Sequence, residues 1–180
     1  MTVAEAQREM RSALMGGFMG QFVSGLLWLA TAALATWSGP RPAISLLIMV
    51  GFFIYPLTLL GLRLIGRRVS VSKANPLNGL GVQAAFVLPL CLPVVAAAAL
   101  YRLDWFFPAF MIVLAAHYLP FITLYGMRMF GVLSAILVAA GVTLALYVRM
   151  PFSTGAWFTA IVLVAFAVIG RIRTAGETSA

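Results

Sequence analysis

The residue with the clearest capacity for chemistry in this chain is its single histidine, His117, which lies within a long apolar segment. An imidazole gains or loses a proton near neutral pH and can also contact ligands. Because an ionisable side chain within a membrane is costly, it is a functional candidate wherever it occurs. We expect His117 to lie near the middle of the membrane and to bind a ligand together with Tyr118, Gln83 and Tyr101. The alternative is structural, with a neutral ring that bonds a carbonyl or hydroxyl of another helix.

The other reactive side chains are too few for the usual catalytic and metal sites. Cys91 is the only cysteine, so no disulfide can form within the chain, and we expect a small buried apolar residue there. Asp104 is the only acid between Glu9 and Glu177, and neither a His-Glu-x-x-His nor a Gly-x-Ser-x-Gly motif is present. We therefore predict no metal and no cofactor, and a role other than catalysis is favoured. A lipid-modifying enzyme that uses His117 and Asp104 stays an alternative.

The elements that hold these residues follow from the composition. Hydrophobic residues make up 63% of the chain and charged residues 9%, whereas charged residues make up about 25% of soluble proteins. Between the basic clusters lie apolar runs of about 20 residues, the length at which a helix crosses a bilayer. The sequence therefore predicts an all-α, polytopic integral membrane bundle. The excess of twelve Lys and Arg over four acids is typical of membrane-protein loops, so nucleic acid is not an expected partner.

Six apolar segments predict six transmembrane helices in one domain that covers residues 1–180. Their expected bounds are about 14–37, 43–62, 80–100, 105–125, 129–148 and 153–172. The first segment could instead be a cleaved signal peptide, since Ala33-Leu34-Ala35 fits a cleavage site. Its apolar part is about 20 residues long, whereas signal peptides have about 7 to 15, so a retained helix is favoured.

The positions of the basic residues predict the orientation. With six spans, nine of the twelve Lys and Arg fall on the side that holds both termini, and three fall on the other side. Because basic loops stay in the cytoplasm, we predict cytoplasmic termini and a multi-pass protein of the cytoplasmic (inner) membrane. The loop at 63–79 is the most basic, and each of its cations attracts anionic lipid headgroups by about 1 kcal/mol. These cations are Arg63, Arg67, Arg68 and Lys73.

Prolines predict irregular helices. Pro89 and Pro93 lie four residues apart in the third span, and each lacks a backbone N–H, so we expect this span to be bent or locally broken. Broken helices offer free carbonyls to ligands in transporters, although neighbouring helices or water often satisfy such carbonyls. Pro120 predicts a kink three residues after His117, and Tyr55-Pro56 predicts one in the second span.

Small residues at four-residue intervals predict faces on which helices pack closely, because small side chains let two backbones approach each other. Such faces suit contacts within the bundle or with a partner in a homo- or hetero-oligomer. The residues concerned are Gly16, Gly20 and Ser24 in the first span and Gly131, Ala135 and Ala139 in the fifth.

Two short stretches resemble a known group of sequences. They are Asn75-Pro76-Leu77-Asn78-Gly79-Leu80-Gly81, and His117-Tyr118-Leu119-Pro120 followed by Leu124-Tyr125. Together they are similar to an uncharacterised family of small bacterial multi-span membrane proteins, a domain of unknown function. The resemblance covers the middle of the chain, and it implies a compact helical membrane fold and no activity.

Three functions are therefore open. The leading hypothesis is a small membrane protein that binds or transports a small molecule or a proton through a cavity near His117. The second is an accessory or structural subunit of a membrane complex. The third is the lipid-modifying enzyme.

Overall fold

The computed structural model describes the backbone of residues 1–67 and 69–177 and the side chains of residues 1–67 and 69–172. Within these residues the chain is helical and contains no strand. The helices are α1 (Val3–Leu14), α2 (Phe18–Trp37), α3 (Pro40–Gly51), α4 (Ile54–Leu64), α5 (Asn78–Tyr101), α6 (Phe106–Tyr118), α7 (Pro120–Tyr125), α8 (Met129–Leu146) and α9 (Thr154–Glu177). Five helical segments of the described chain are long and apolar enough to cross a membrane, or six if α3 and α4 are one bent span. The predicted all-α membrane bundle is confirmed.

α3 and α4 form a bent pair that meets at residues 52–53 with an angle of 64°. The cause is Pro56, whose missing N–H removes the helical bond to the carbonyl of Phe52. The kink predicted in the second span is therefore present. α4 packs beside the start of α2, where a Cβ on Gly20 would lie 3.2 Å from Thr58 Oγ1. The pair thus returns the chain to the side from which α2 starts, as one broken span.

α5 runs without a break from Asn78 to Tyr101 and passes through both of its prolines. Pro89 and Pro93 are exposed on the outer face of the bundle. Ala84 is one of two buried residues in this helix, so α5 touches the bundle along one narrow edge. Of the two outcomes expected for the third span, bent or locally broken, the break is excluded.

α6 and α7 together form the fourth crossing. The helix is interrupted at Leu119, and Pro120 opens α7. The interruption falls at the position where Pro120 predicts a kink, and Leu119 keeps helical φ and ψ angles of −57° and −46°. α7 is short and ends at Gly126, which has a positive φ of 65° that glycine adopts without strain.

The crossings pack side by side around an aromatic core. α2 lies along α9, α6 lies along α8, α5 flanks α6, and α3 and α4 flank α2. The indole of Trp28 is 1% exposed and contacts the rings of Phe107 and Phe110, at centroid distances of 5.8 and 5.4 Å. These edge-on and tilted contacts are the arrangements that aromatic pairs prefer.

Two glycines allow close approaches between neighbouring helices of the bundle. A Cβ on Gly25 would lie 2.8 Å from a methyl group of Val164 in α9. A Cβ on Gly141 would lie 2.8 Å from the carbonyl oxygen of Pro108 in α6. Because only glycine fits at these separations, the α2–α9 and α6–α8 contacts depend on these two positions.

The small-residue faces predicted from the sequence lie only partly inside the bundle. Ser24 is buried and Gly20 faces α4, whereas Gly16 lies in the turn before α2. On α8, Ala135 and Ala139 are exposed. The second face therefore points away from the bundle.

Contacts between helix ends define the two ends of the bundle. The ring of Phe18 at the start of α2 packs directly on Gly170 in α9 and leaves no room for a Cβ there. α1 and the loop after α4 meet at the same end, because the N–H of Ser72 donates to Glu9 Oε1 at 2.8 Å. We call this the near end, and the opposite end, which carries Asp104, the far end.

Replacing Gly141 by Ala should destabilise the protein by about 1 to 3 kcal/mol, because the added methyl group would press on the backbone of Pro108. Gly79 in α5 is the matched control, since a Cβ there meets nothing within 4 Å, and Gly79→Ala should be neutral or slightly stabilising. Thermal unfolding in detergent measures both. Equal melting temperatures for the two variants would contradict the close contact of α6 with α8.

Candidate functional site

His117 lies at the end of α6 and joins it to α5. Its Nδ1 is 2.8 Å from the carbonyl oxygen of Ala84. A carbonyl can only accept, so Nδ1 carries the proton and donates, and in the neutral ring Nε2 keeps a lone pair. The ring packs edge-on against Tyr118 and Phe121, at centroid distances of 5.3 and 5.1 Å. The bond to a carbonyl that was the structural alternative for His117 is thus present, and it does not use the lone pair of Nε2.

The depth of His117 can be counted along its crossing. At 1.5 Å per residue, His117 lies about 12 Å from Tyr125 at the near end of the crossing and about 21 Å from Leu103 at the far end. Ala84 lies at a matching depth, about 9 Å from the start of α5. By this count His117 lies in the near-end half of its crossing, about 4.5 Å from the midpoint.

The structure brings together two of the four residues expected at the histidine site. Tyr118 is 3% exposed and contacts His117. Gln83 precedes Ala84, but its side chain is exposed on the outside of α5. Tyr101 is 77% exposed at the far end of α5, where it packs on Trp105 at 5.5 Å. Neither Gln83 nor Tyr101 faces the interior beside His117.

A different glutamine, Gln21 in α2, is buried inside the bundle. Its side chain is 2% exposed, and neither Oε1 nor Nε2 has a hydrogen-bond partner among the described residues. The buried hydroxyl of Thr31, further along α2, also has no hydrogen-bond partner among the described residues. Leaving a buried polar group unpaired costs about 1 to 3 kcal/mol. The amide of Gln21 is therefore a candidate contact for a polar group that enters the bundle.

Along α2, Gln21 lies between the positions that two tyrosines of the fourth crossing approach. The Tyr118 hydroxyl interacts with the side chain of Ser24, about one turn after Gln21. The ring of Tyr125 packs on Gly17, one turn before Gln21, and its hydroxyl lies 3.2 Å from the position of a Gly17 Cβ. Because α2 runs antiparallel to α6 and α7, the amide lies at a depth between the two hydroxyls. We call Gln21, Ser24, Tyr118 and Tyr125 the polar cluster.

Aromatic rings surround the polar cluster. Phe121 contacts Tyr118 and Tyr125 at centroid distances of 5.4 and 5.5 Å and Phe130 at 5.4 Å. The cluster itself offers hydroxyl and amide donors and acceptors, and none of its four side chains is charged at neutral pH. Such a set suits a small uncharged polar molecule, water, or a proton that moves along hydroxyl groups and water.

Sequence reasoning selected Gln83 and missed Gln21, although a signal was available. Gln21, Ser24 and Thr31 are separated by three and seven residues and therefore share one face of α2. A stripe of polar side chains on an apolar helix indicates the face that points away from lipid, because hydrocarbon cannot satisfy hydrogen bonds.

α1 covers the near end of the fourth crossing, above the polar cluster. Gln7 Nε2 donates to the carbonyl of Thr123 at 2.7 Å, and Arg11 donates to the carbonyl of Tyr125. The last carbonyls of a helix have no partner within it, so these two side chains supply the missing donors for α7. α1 is thereby held across the end of the bundle.

The basic residues expected to contact lipid headgroups lie at the near end. Arg63, Arg67 and Lys73 have exposed side chains. Arg68, the fourth, lies outside the described residues. Contact of these three exposed residues with lipid headgroups stays a prediction.

Neither a catalytic pair nor a metal centre is formed by the described side chains. Asp104 is paired with Arg102 at 2.6 Å, and about 20 Å of helix separates it from His117. The two residues therefore cannot act on one reacting atom. Among the described residues no group of three His, Cys, Asp or Glu could hold a metal ion, and Cys91 is partly buried.

Comparison with known sequences gives one assignment. A family described as a family of unknown function, DUF7010, matches residues 3–173. The chain belongs to this family. The resemblance to an uncharacterised family is thereby confirmed. No curated protein and no solved structure matches this DUF7010 chain, so its function has to be argued from its own residues.

Replacing His117 by Phe in this DUF7010 protein should lower its stability by about 1 kcal/mol, because the bond between α6 and α5 is lost while a ring is kept. His117→Asn keeps an amide N–H and should lose less. Denaturation in a mixed detergent series measures the free energy of unfolding. A His117→Phe variant as stable as the wild type would contradict a contribution from the bond to Ala84.

Proposed function

We propose that this DUF7010 protein binds a small uncharged polar molecule or a proton in its polar cluster, beside His117, and moves it across the membrane. The observation that carries the proposal is the amide of Gln21, which is 2% exposed and has both ends unpaired among the described residues. An apolar side chain of similar volume at this position would remove the unpaired groups and their cost. A ligand or water that enters the bundle would satisfy the amide and account for it.

The chemistry of the polar cluster favours an uncharged or protonic cargo. Gln21 offers one acceptor oxygen and two donor N–H groups, and the hydroxyls of Tyr118 and Ser24 can each donate and accept. No carboxylate belongs to the cluster, so a metal cation would find no balancing charge there. Hydroxyls and an amide at successive depths are instead the groups along which bound water or a small polar solute can pass.

His117 supports the protonic form of this proposal. Its ring contacts Tyr118, a member of the polar cluster, at 5.3 Å. The ring can accept a second proton at Nε2 while Nδ1–H stays bonded to Ala84. His117 would then act as a proton-responsive group between α5 and the cluster.

The distribution of charge supports a location in the cytoplasmic (inner) membrane with the near end in the cytoplasm. Of the Lys and Arg in the described backbone, eight belong to segments at the near end and three to segments at the far end. Basic residues mark cytoplasmic segments. Exposed Arg63 and Lys73 are suited to contact anionic headgroups on that side.

Gln21→Leu tests the proposal, and Gln83→Leu is its matched control, because the same change is made on the exposed face of α5. Purified variants are reconstituted into vesicles, and two fluxes are recorded: proton uptake with an internal pH dye under an imposed potential, and swelling in glycerol or urea. Gln21→Leu should lower at least tenfold whichever of these two fluxes the wild type shows. Gln83→Leu should match the wild type.

The melting temperature of Gln21→Leu distinguishes loss of the site from damage to the fold. Because Gln21→Leu removes an unpaired amide, its melting temperature should equal or exceed that of the wild type. Wild-type vesicles that conduct neither protons nor solutes faster than protein-free vesicles would contradict transport. An unchanged flux in Gln21→Leu would remove the polar cluster from the pathway.

The second candidate function is an accessory or structural subunit, and the outer face of α8 favours it. Ala135 and Ala139 are exposed there beside Val132, which is 55% exposed. Small and apolar residues on an outer face suit close packing against another transmembrane helix. Purification in mild detergent should then retain a homo- or hetero-oligomer that Ala135→Leu disrupts, and a monodisperse single chain would contradict this role.

A further inference from the structure

A pocket of about 470 Å³ opens at the near end, between α1 and the loop that follows α4. α1 contributes Glu9, Ser12 and Ala13 to its walls, and the loop contributes Arg67 and Ser70. Among the described residues, the pocket thus presents one acid, one base and two hydroxyls. It is separate from the polar cluster, none of whose members lines it.

The carboxylate of Glu9 is held in place at the wall of this pocket. Glu9 Oε1 accepts from the N–H of Ser72 at 2.8 Å, and Oε2 accepts from Asn75 Nδ2 at 2.6 Å. Asn75 is itself 3% exposed, and its Oδ1 accepts from the N–H of Leu77 at 2.9 Å. A carboxylate can accept about four hydrogen bonds, so Glu9 keeps capacity for a further donor.

Arg67 lines the same pocket, and among the described residues it forms no ion pair with Glu9. Its Nη1 donates to the carbonyl of Ser12 over a long 3.4 Å, and a guanidinium carries five N–H donors. The ion pair recorded in the described part of the chain joins Arg102 and Asp104 and does not include Glu9 or Arg67. Opposite charges therefore line one pocket without neutralising each other.

The pocket lies at one end of the crossings, where α2 begins and α4 ends. The apolar length of a membrane-spanning helix ends near the lipid headgroups. Leu64 and Ile65, separated from Arg67 by Gly66, are 79% and 51% exposed. These apolar side chains offer a surface for an acyl chain next to the charged pocket.

We propose that this pocket binds the phosphoethanolamine headgroup of a phospholipid. The phosphate lies against Arg67 with the hydroxyls of Ser12 and Ser70, and the primary ammonium donates to Glu9. Arg67 recognises phosphate through its planar set of donors. A choline headgroup has no N–H to donate to Glu9, and a glycerol headgroup has no positive charge. The pocket therefore selects ethanolamine over both.

Native mass spectrometry on protein released from nanodiscs tests the selection. The nanodiscs contain equal amounts of phosphatidylethanolamine, phosphatidylcholine and phosphatidylglycerol with identical acyl chains. The wild type should retain one ethanolamine lipid at least tenfold more often than either other lipid. Arg67→Gln and Glu9→Gln should abolish this preference, whereas Arg63→Gln, which removes an exposed cation outside the pocket, should keep it.

Soluble glycerophosphoethanolamine, titrated into the detergent-solubilised protein, distinguishes a lipid from a free metabolite with the same headgroup. Retention of the lipid with weak binding of the soluble compound supports the lipid, and tighter binding of the soluble compound overturns it. Equal retention of the three lipids, or equal effects of Arg67→Gln and Arg63→Gln, also overturns the proposal.

Because Glu9 ties α1 to Asn75, Ser70→Ala serves as a milder second variant, and it should lower the ethanolamine preference without changing the melting temperature.

Discussion

The polar groups inside this bundle have to find hydrogen-bond partners without bulk water, and the rest of the structure depends on that constraint. Two buried threonines meet it within their own helix: Thr58 donates to the carbonyl of Ile54 at 2.7 Å, and Thr159 donates to that of Gly155 at 2.8 Å. A glutamine cannot do the same. Its amide oxygen needs a donor, and the N–H groups of a helix interior are already bonded to carbonyls. Gln21 is therefore the side chain of α2 that most requires a partner from outside its own helix.

The two ends of the bundle meet the same constraint with different chemistry. At the far end indoles supply the donors, since Trp105 Nε1 donates to the carbonyl of Ala145 at 3.0 Å. At the near end Gln7 and Arg11 of α1 supply them to the carbonyls that close α7. Indoles suit a membrane surface and need no further charge. A guanidinium brings a charge that needs water or a counter-ion, so the near end is the more polar and the more open to small ligands.

The sequence predicted the fold class and most crossings because hydropathy is read along the chain and needs no third dimension. It did not determine which way a side chain points. Pro89 and Pro93 could have broken α5 over an interior site, but both lie on the outer face of an unbroken helix. Gln83 and Gln21 each follow the start of an apolar helix, yet one is exposed and the other buried. A helix that is apolar on all sides gives no periodicity to orient it, and only the polar spacing on α2 carried that information.

α1 lines the outer pocket and also contacts the end of α7, above the polar cluster. Gln7 and Arg11 are four residues apart and share the face that meets α7, whereas Glu9 and Ser12 turn toward the loop and its pocket. A headgroup that contacts Glu9 and Arg67 together requires α1 and the loop to stay in contact. By linkage, any ligand that binds only this arrangement stabilises it. The same arrangement holds α1 across the end of α7, over Tyr125 and the amide of Gln21. The proposed headgroup pocket and the polar cluster therefore share one short helix, α1, as part of their surroundings.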